Sequence, residues 1–157
     1  MVVERYQRLK RLGQGMMSVV WLARDTYSQE LVALKVMHTI AEDDQRNRKA
    51  MERFQREIEI ARTLNHPHIL PIIDYGHTVH EGHQVPFLVS PYIEEGSLAE
   101  LVRIDPPWRD WSLIQISDAI MQAAQSLWYL HTRNPQIVHQ DVKPGNFLFH
   151  PVYTQQR

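Results

Sequence analysis

The stretch IVHQDVKPGN, residues 137–146, places a carboxylate at Asp141, an ammonium at Lys143 and a carboxamide at Asn146 in a loop directly behind two apolar residues. These are the groups that moving a phosphoryl group requires. A carboxylate orients or deprotonates an attacking hydroxyl, a lysine balances charge on the transferring group, and an amide oxygen is a hard ligand of the kind Mg2+ prefers. A polar loop with an Asp turn and a Pro144-Gly145 bend accounts for each residue singly. It does not account for the five-residue step from Asp141 to Asn146 with Lys143 and Pro144 between them.

Two groups upstream suit the same chemistry. In Gly13-x-Gly15-x-x-Ser18, glycines let a turn approach phosphates closely with backbone N–H groups free to donate. A strand pattern follows, which excludes a dinucleotide fingerprint, and an ordinary hairpin turn explains the glycines equally well. Lys35 ends the run Val32-Ala33-Leu34-Lys35. Strand alternation sets Ala33 and Lys35 on one face and Val32, Leu34 and Val36 on the other, so Lys35 faces either solvent or an anion. A lysine that holds phosphates needs a carboxylate to fix it. Glu57 is the candidate, beside the apolar stripe of Phe54 and Ile58; its other reading is a solvated helix face shared with Glu59.

The elements that must position these groups follow from periodicity. Residues 6–12, 19–25 and 31–37 read as strands, separated by GQGMMS and the polar turn TYSQE. Over residues 42–64, Met51, Phe54, Ile58, Ala61 and Leu64 recur at helical spacing. Asp43 and Asp44 lie near the positive end of that helix, and residues 65–67 end it. Residues 69–76 and 85–92 read as a strand pair around a histidine-rich loop. Ser97 with Glu100 forms a capping-box signature, so a helix starts at Ser97 and is broken by Pro106-Pro107-Trp108. A second helix spans residues 112–131, its stripe formed by Ile116, Ile120, Ala123, Ala124, Leu127 and Leu130.

A chain of 157 residues is long enough for one domain with a sizeable core. With 43% hydrophobic and 22% charged residues it reads as globular and not as disordered. A net charge of -1 argues against nucleic acid or an anionic membrane as the main partner. There is no cysteine, hence no disulfide framework and no thiolate metal site. The N-terminal MVVERYQRLKRLG lacks an apolar core of a signal peptide, and no run is long enough to span a bilayer. The expectation is a cytoplasmic protein. His77-x-x-His80-x-x-His83 has zinc-compatible nitrogens but no thiolate, and surface histidines explain it better. Trp108 and Trp111 read as packing, because no basic patch accompanies them as a nucleic-acid platform would require.

Taken in series, GQGMMSVV, VALK, Glu57 within an amphipathic helix, and HQDVKPGN resemble a protein kinase domain over nearly the whole chain. Lys143 followed by Pro144 is similar to serine/threonine kinases, and LARD, VALKVM and NHPHILPIIDYG resemble bacterial members. The resemblance implies an α+β, protein-kinase-like fold. A small lobe of antiparallel strands with one helix would occupy residues 1–90, a hinge 91–96, and the first helices of an incomplete helical large lobe 97–157. It implies ATP and Mg2+ as cofactors and a protein serine or threonine hydroxyl as acceptor. By position, Gly13, Gly15 and Ser18 would lie in the phosphate-covering loop, Leu12 would be a further nucleotide-binding residue, and Val20 and Ala33 would help wall the adenine. Lys35, held by Glu57, contacts the α- and β-phosphates. Ser90 lies at the back of the pocket, and Pro91, Tyr92 and Ile93 form the hinge. The resemblance implies Asp141 as the catalytic base, Lys143 as assisting at the γ-phosphate, and Asn146 as a Mg2+ ligand.

The chain departs from the family pattern in three places. Ser18 replaces the third loop glycine, a mild change. Gln140 replaces the arginine that pairs with a phosphorylated activation loop, so that form of control is not implied. Phe147 to Arg157 holds no Asp and no Glu, so the aspartate of the Asp-Phe-Gly motif is not among them. The expectation is a kinase fragment that does not turn over by itself and that exposes apolar side chains of the 112–131 helix. The alternative is a truncated kinase-like module that acts by binding nucleotide or a partner, without catalysis.

Overall fold

A computed structural model of the chain describes residues 5–15, 17–37, 44–80, 82–104 and 111–150. Five antiparallel strands and three helices carry the architecture, in the order β1 (Tyr6–Gln14), β2 (Ser18–Asp25), β3 (Leu31–Met37), α1 (Asp44–Ala61), β4 (Asp74–His80), β5 (His83–Pro91), α2 (Leu98–Ile104) and α3 (Leu113–His131). A 3-10 turn, Pro144–Asn146, follows. This is the α+β arrangement expected of the family. The contacts divide the chain into two compact units, Met1–Asn65 with Leu70–Tyr92, and His66–Ile69 with Ile93–Arg157.

The first unit is one sheet, ordered β1-β2-β3-β5-β4. Along β3 the alternation is as the sequence dictates, with Val32, Leu34 and Val36 buried and Ala33 and Lys35 half-buried. The core gathers these with Tyr6, Val19, Ala23, Val85, Phe87 and Val89 from the other strands and Phe54 and Ile58 from α1. The polar turn between β2 and β3 is closed by Asp25, whose Oδ1 accepts from the Tyr27 N–H and whose carbonyl accepts from Gln29. β1 carries two register shifts against β2, the second between Arg11 and Gly13. Bulges of this kind re-aim a strand near its end, here just before the glycine turn.

β4 is displaced from its expected place. The apolar run 69–73 precedes the strand, and the histidine segment 77–80 lies within it. Pro71 has no N–H to give a ladder, and regular pairing begins where the Ile73 N–H reaches the Val89 carbonyl and Asp74 faces Val89. The histidines stand on two paired strands, with His80 opposite His83 and His77 opposite Pro86. On a strand, a spacing of three sends His77 and His80 to opposite faces. Among the described residues, no group of three or more His, Cys, Asp or Glu could hold a metal ion.

In the second unit, α2 begins with the expected capping box. The Ser97 N–H and hydroxyl both donate to Glu100 Oε2, at 2.7 and 2.8 Å, and Ser97 Oγ accepts from the Glu100 N–H. Gly96 just before it has φ +77°, and a Cβ there would lie 2.7 Å from Glu100 Oε2. Residues 96–98 meet 147–149 through an antiparallel bridge, with Leu98 N–H donating to the Phe147 carbonyl and Phe149 N–H to that of Gly96. α3 starts at a second capping box, in which Ser112 and Gln115 exchange hydrogen bonds. Its stripe is covered only in part. Leu130 is buried, but Ile120 is 64% exposed, and Leu113, Ile114, Met121 and Trp128 are exposed with it. Trp111 packs on Phe149, ring centroids 5.2 Å apart. The expected helix start at Glu42 and Asp43 and the Pro106-Pro107-Trp108 break lie outside the described residues. No helix among the described residues is long and apolar enough to cross a membrane.

Candidate functional site

The candidate residues fall into two groups, one in each unit. In the first unit, sheet register does the positioning. Lys35 stands opposite Val20 on one side and Leu88 on the other, and Val20 stands opposite Gly13 on β1. Ala33, two residues earlier, stands between Leu22 and Ser90. Directly opposed residues share a face of a sheet, and so do residues two apart on one strand. Val20, Leu22, Ala33, Lys35, Leu88 and Ser90 therefore line one face.

Lys35 Nζ donates to Glu57 Oε1 at 2.7 Å and lies 5.1 Å from the ring centroid of Phe54. Phe54 and Glu57 are three residues apart on α1 and share a helix face. The Lys35 side chain is 28% exposed and that of Glu57 54%, so this pair adds little to stability. What it does is fix an ammonium group on a sheet face.

At the glycine turn, the Gly15 N–H donates to the Ser18 carbonyl at 2.8 Å. A Cβ on Gly13 would meet nothing within 4 Å, and one on Gly15 would make only ordinary contact with Ser18, 3.7 Å from its carbonyl oxygen. The positive-φ glycines among the described residues are Gly82 and Gly96. Neither packing nor backbone conformation thus requires glycine at 13 or 15. Open space over a glycine turn is what close approach of a phosphate chain would use. Leu12, 37% exposed, ends the bulged part of β1. Tyr92 follows β5 and closes the first unit, and Ile93 opens the second, its carbonyl accepting from the Gly96 N–H.

In the second unit, Asp141, Lys143 and Asn146 come together. Lys143 Nζ lies 2.7 Å from Asp141 Oδ2. Asn146 Nδ2 donates to the Asp141 carbonyl at 2.7 Å and to Oδ2 at 3.1 Å. The local fold explains the convergence. Pro144 suits the first position of a short helical turn, and the turn, closed by Asn146 N–H to the Lys143 carbonyl, returns Asn146 to Asp141. His139 braces the other side, with its carbonyl and Nδ1 both accepting from the Asp141 N–H. Between them, Gln140 has φ +63°, a left-handed conformation that side chains other than glycine adopt at a cost. The Lys143 hydrogen bond first, and that of Asn146 second, hold the Asp141 carboxyl below the usual carboxylate range. Asp141 is thus an ionised acceptor at neutral pH. Asn146 donates through its nitrogen, which leaves its amide oxygen as an acceptor.

Sequence reasoning missed three arrangements. Phe54 was legible as a core residue, but not as the ring beneath Lys35. The Ser112-x-x-Gln115 box fits the capping signature directly. Arg5, just before β1, ties β2 to β4, donating to both Asp25 oxygens, at 2.7 Å from Nη2, and to Asp74 at 3.1 Å. Tyr6 Oη donates to the same Asp74 oxygen at 2.6 Å. No short motif announces that network, because its members are separated by 20 and 69 residues.

The protein kinase domain model matches residues 6–155. The serine/threonine-protein kinase PknB of Mycobacterium leprae is 34% identical over 145 residues, covering 92% of this chain and 22% of its own length. The serine/threonine-protein kinase PrkC of Bacillus subtilis is 33% identical, covering 92% of this chain and 20% of its own length. An Aurora kinase of Saccharomyces cerevisiae is 34% identical over 139 residues, covering 88% and 35%. The chain spans about a fifth to a third of the length of these relatives.

Proposed function

The chain belongs to the protein kinase family, and from that membership we propose that the protein containing it transfers the γ-phosphoryl group of ATP to serine or threonine hydroxyls of a protein. The Lys35–Glu57 pair at 2.7 Å carries the reading. It fixes a cation on the sheet face that also holds Val20 and Ala33, and a cation fixed in advance costs no reorganisation when charge arrives. In this reading Lys35 contacts the α- and β-phosphates. Gly13, Gly15 and Ser18 offer backbone donors and an open approach, Leu12 adds a contact to the nucleotide, and Tyr92 and Ile93 hold the adenine edge. Residues 1–90 act as the small lobe, 91–96 as the hinge and 97–157 as the start of the large lobe.

In the second unit, protonation and geometry support the roles proposed for the loop residues. Asp141 is ionised and accepts the hydrogen bond of the substrate hydroxyl, which aims that oxygen. Lys143 balances charge at the γ-phosphate. Asn146 offers its amide oxygen to Mg2+, a donor type that fits this hard cation. The metal, when bound, supplies charge neutralisation on the phosphate oxygens. Gln140 carries no charge for a phosphorylated loop to pair with, so activity independent of activation-loop phosphorylation is part of the proposal. So is residence in the cytoplasm, which the lack of cysteine supports.

The test is phosphate transfer from labelled ATP by the full-length protein, beside Lys35→Met and Asp141→Asn variants. Transfer to Ser or Thr that falls at least a hundredfold in both variants is the expected result, because each removes electrostatic positioning of that order. Equal transfer by wild type and both variants contradicts the proposal.

A further inference from the structure

The Lys35 ammonium has two neighbours on α1, the Glu57 carboxylate at 2.7 Å and the Phe54 ring. Glu57 is more than half exposed, so its ion pair fixes the lysine head at one acceptor and adds little stability. Phe54 is different. It is 7% exposed and belongs to the core cluster, so packing fixes its ring, and Lys35 Nζ sits 5.1 Å from the centroid. An ammonium within about 6 Å of a ring face is attracted by the ring quadrupole. The attraction is not directional in the way a hydrogen bond is. It leaves the N–H donors not taken by Glu57 free for another acceptor.

We propose that Phe54 is a positioning residue, whose core-fixed ring holds the Lys35 ammonium on the sheet face in concert with Glu57. The inference rests on the reading of Lys35 as a phosphate ligand only for its functional consequence; the positioning itself stands without nucleotide. The α1 sequence encodes both holds, because Phe54 and Glu57 are one helical turn apart and reach the same side chain.

Fluorination of Phe54 separates ring electrostatics from packing. Mono-, di- and trifluorinated phenylalanine keep the ring's shape while withdrawing electron density from its face. Each is placed at 54 of the full-length protein with isotope-labelled lysine. In the wild type, the Lys35 ε-methylene protons are expected upfield of those of the other lysines, shifted by the ring below. Across the fluorinated series, Lys35 side-chain order is expected to fall stepwise while the thermal midpoint stays constant. Absence of the upfield shift, or unchanged order across the series, overturns the proposal. Nucleotide affinity, measured in parallel, addresses the phosphate-ligand role. Affinity about two- to fivefold weaker in the trifluoro form accords with one cation–π contact at a partly exposed site. Failure of the wild type to bind ATP counts against the nucleotide role of Lys35 and leaves the order measurement to decide the role of Phe54.

Discussion

Lys35 Nζ and Glu57 Oε1 lie 2.7 Å apart although 22 residues of sequence separate them, one on the third strand and the other on the helix that follows. The pair is exposed enough that its removal hardly touches folding. Glu57→Gln is expected to change unfolding free energy by less than about 1 kcal/mol, while phosphate transfer by the full-length protein falls sharply. Chemical denaturation and a transfer assay on the same samples check this. A loss of stability that accounts for the whole loss of activity goes against a positioning role for Glu57.

Arg5 is expected to matter for folding. Its guanidinium is a third exposed, but Asp25 is nearly fully buried. Arg5→Ala leaves that carboxylate without its main partner and is expected to destabilise the fold, read from the shift in denaturation midpoint. The Arg5 hydrogen bond, the largest cause, holds the Asp25 carboxyl below its ordinary 3.8. A depressed acid binds fewer protons folded than unfolded, so its contribution is complete above pH 3.8 and is lost as pH falls toward the depressed folded value. Wild type is therefore expected to show a steeper loss of stability below pH 3.8 than Arg5→Ala.

His66 predicts the pH dependence at a milder acidity. Its Nδ1 accepts from the His68 N–H at 3.2 Å, and its ring lies 5.0 Å from that of Tyr129 on α3. Arg133 stands over the same tyrosine at 5.2 Å. Burial, and then the neighbouring His68, push the His66 pKa below 6.5. A cation-forming group with a depressed folded pKa stabilises the fold fully above 6.5 and loses that contribution as pH falls below it. Protonation must also take Nδ1 from the His68 N–H. Protection of the His68 amide against hydrogen exchange is expected to drop between pH 7 and pH 5, and to be pH-independent in His66→Asn after correction for intrinsic rates.

Gly96→Ala tests the start of α2. At φ +77° any Cβ is strained, and here it would sit 2.7 Å from Glu100 Oε2, an acceptor in the capping box. Left-handed strain and a lost cap together are expected to cost about 2–3 kcal/mol. Gly13→Ala, whose Cβ meets nothing within 4 Å, is expected to be neutral for stability within about 0.5 kcal/mol.

Much of the fold was legible because period and chemistry agreed. β3 alternates as its apolar residues require, and Ser97 and Glu100 cap α2 as their spacing announces. Where they disagreed, the sequence misled. The run 69–73 is apolar enough for a strand, but Pro71 withholds an N–H, and the ladder starts later, through polar residues. The α3 stripe had the right period, yet Ile120 is exposed, since periodicity tells that a face is apolar and not what covers it. Of the candidate site, the local trio Asp141, Lys143 and Asn146 and the Lys35–Glu57 pair were readable from residue type and order. The Phe54 ring beneath Lys35 was not, because an aromatic at a core position gives no sign of which cation crosses its face.

The central claim is that Asp141, held ionised by Lys143 and Asn146, aims a serine or threonine hydroxyl for phosphoryl transfer from ATP. The most direct measurement is single-turnover phosphate transfer by the full-length protein and its Asp141→Asn variant, with nucleotide affinity recorded for both. The account predicts that nucleotide binding persists while the transfer rate falls by at least a hundredfold. Transfer at the wild-type rate in Asp141→Asn would contradict it.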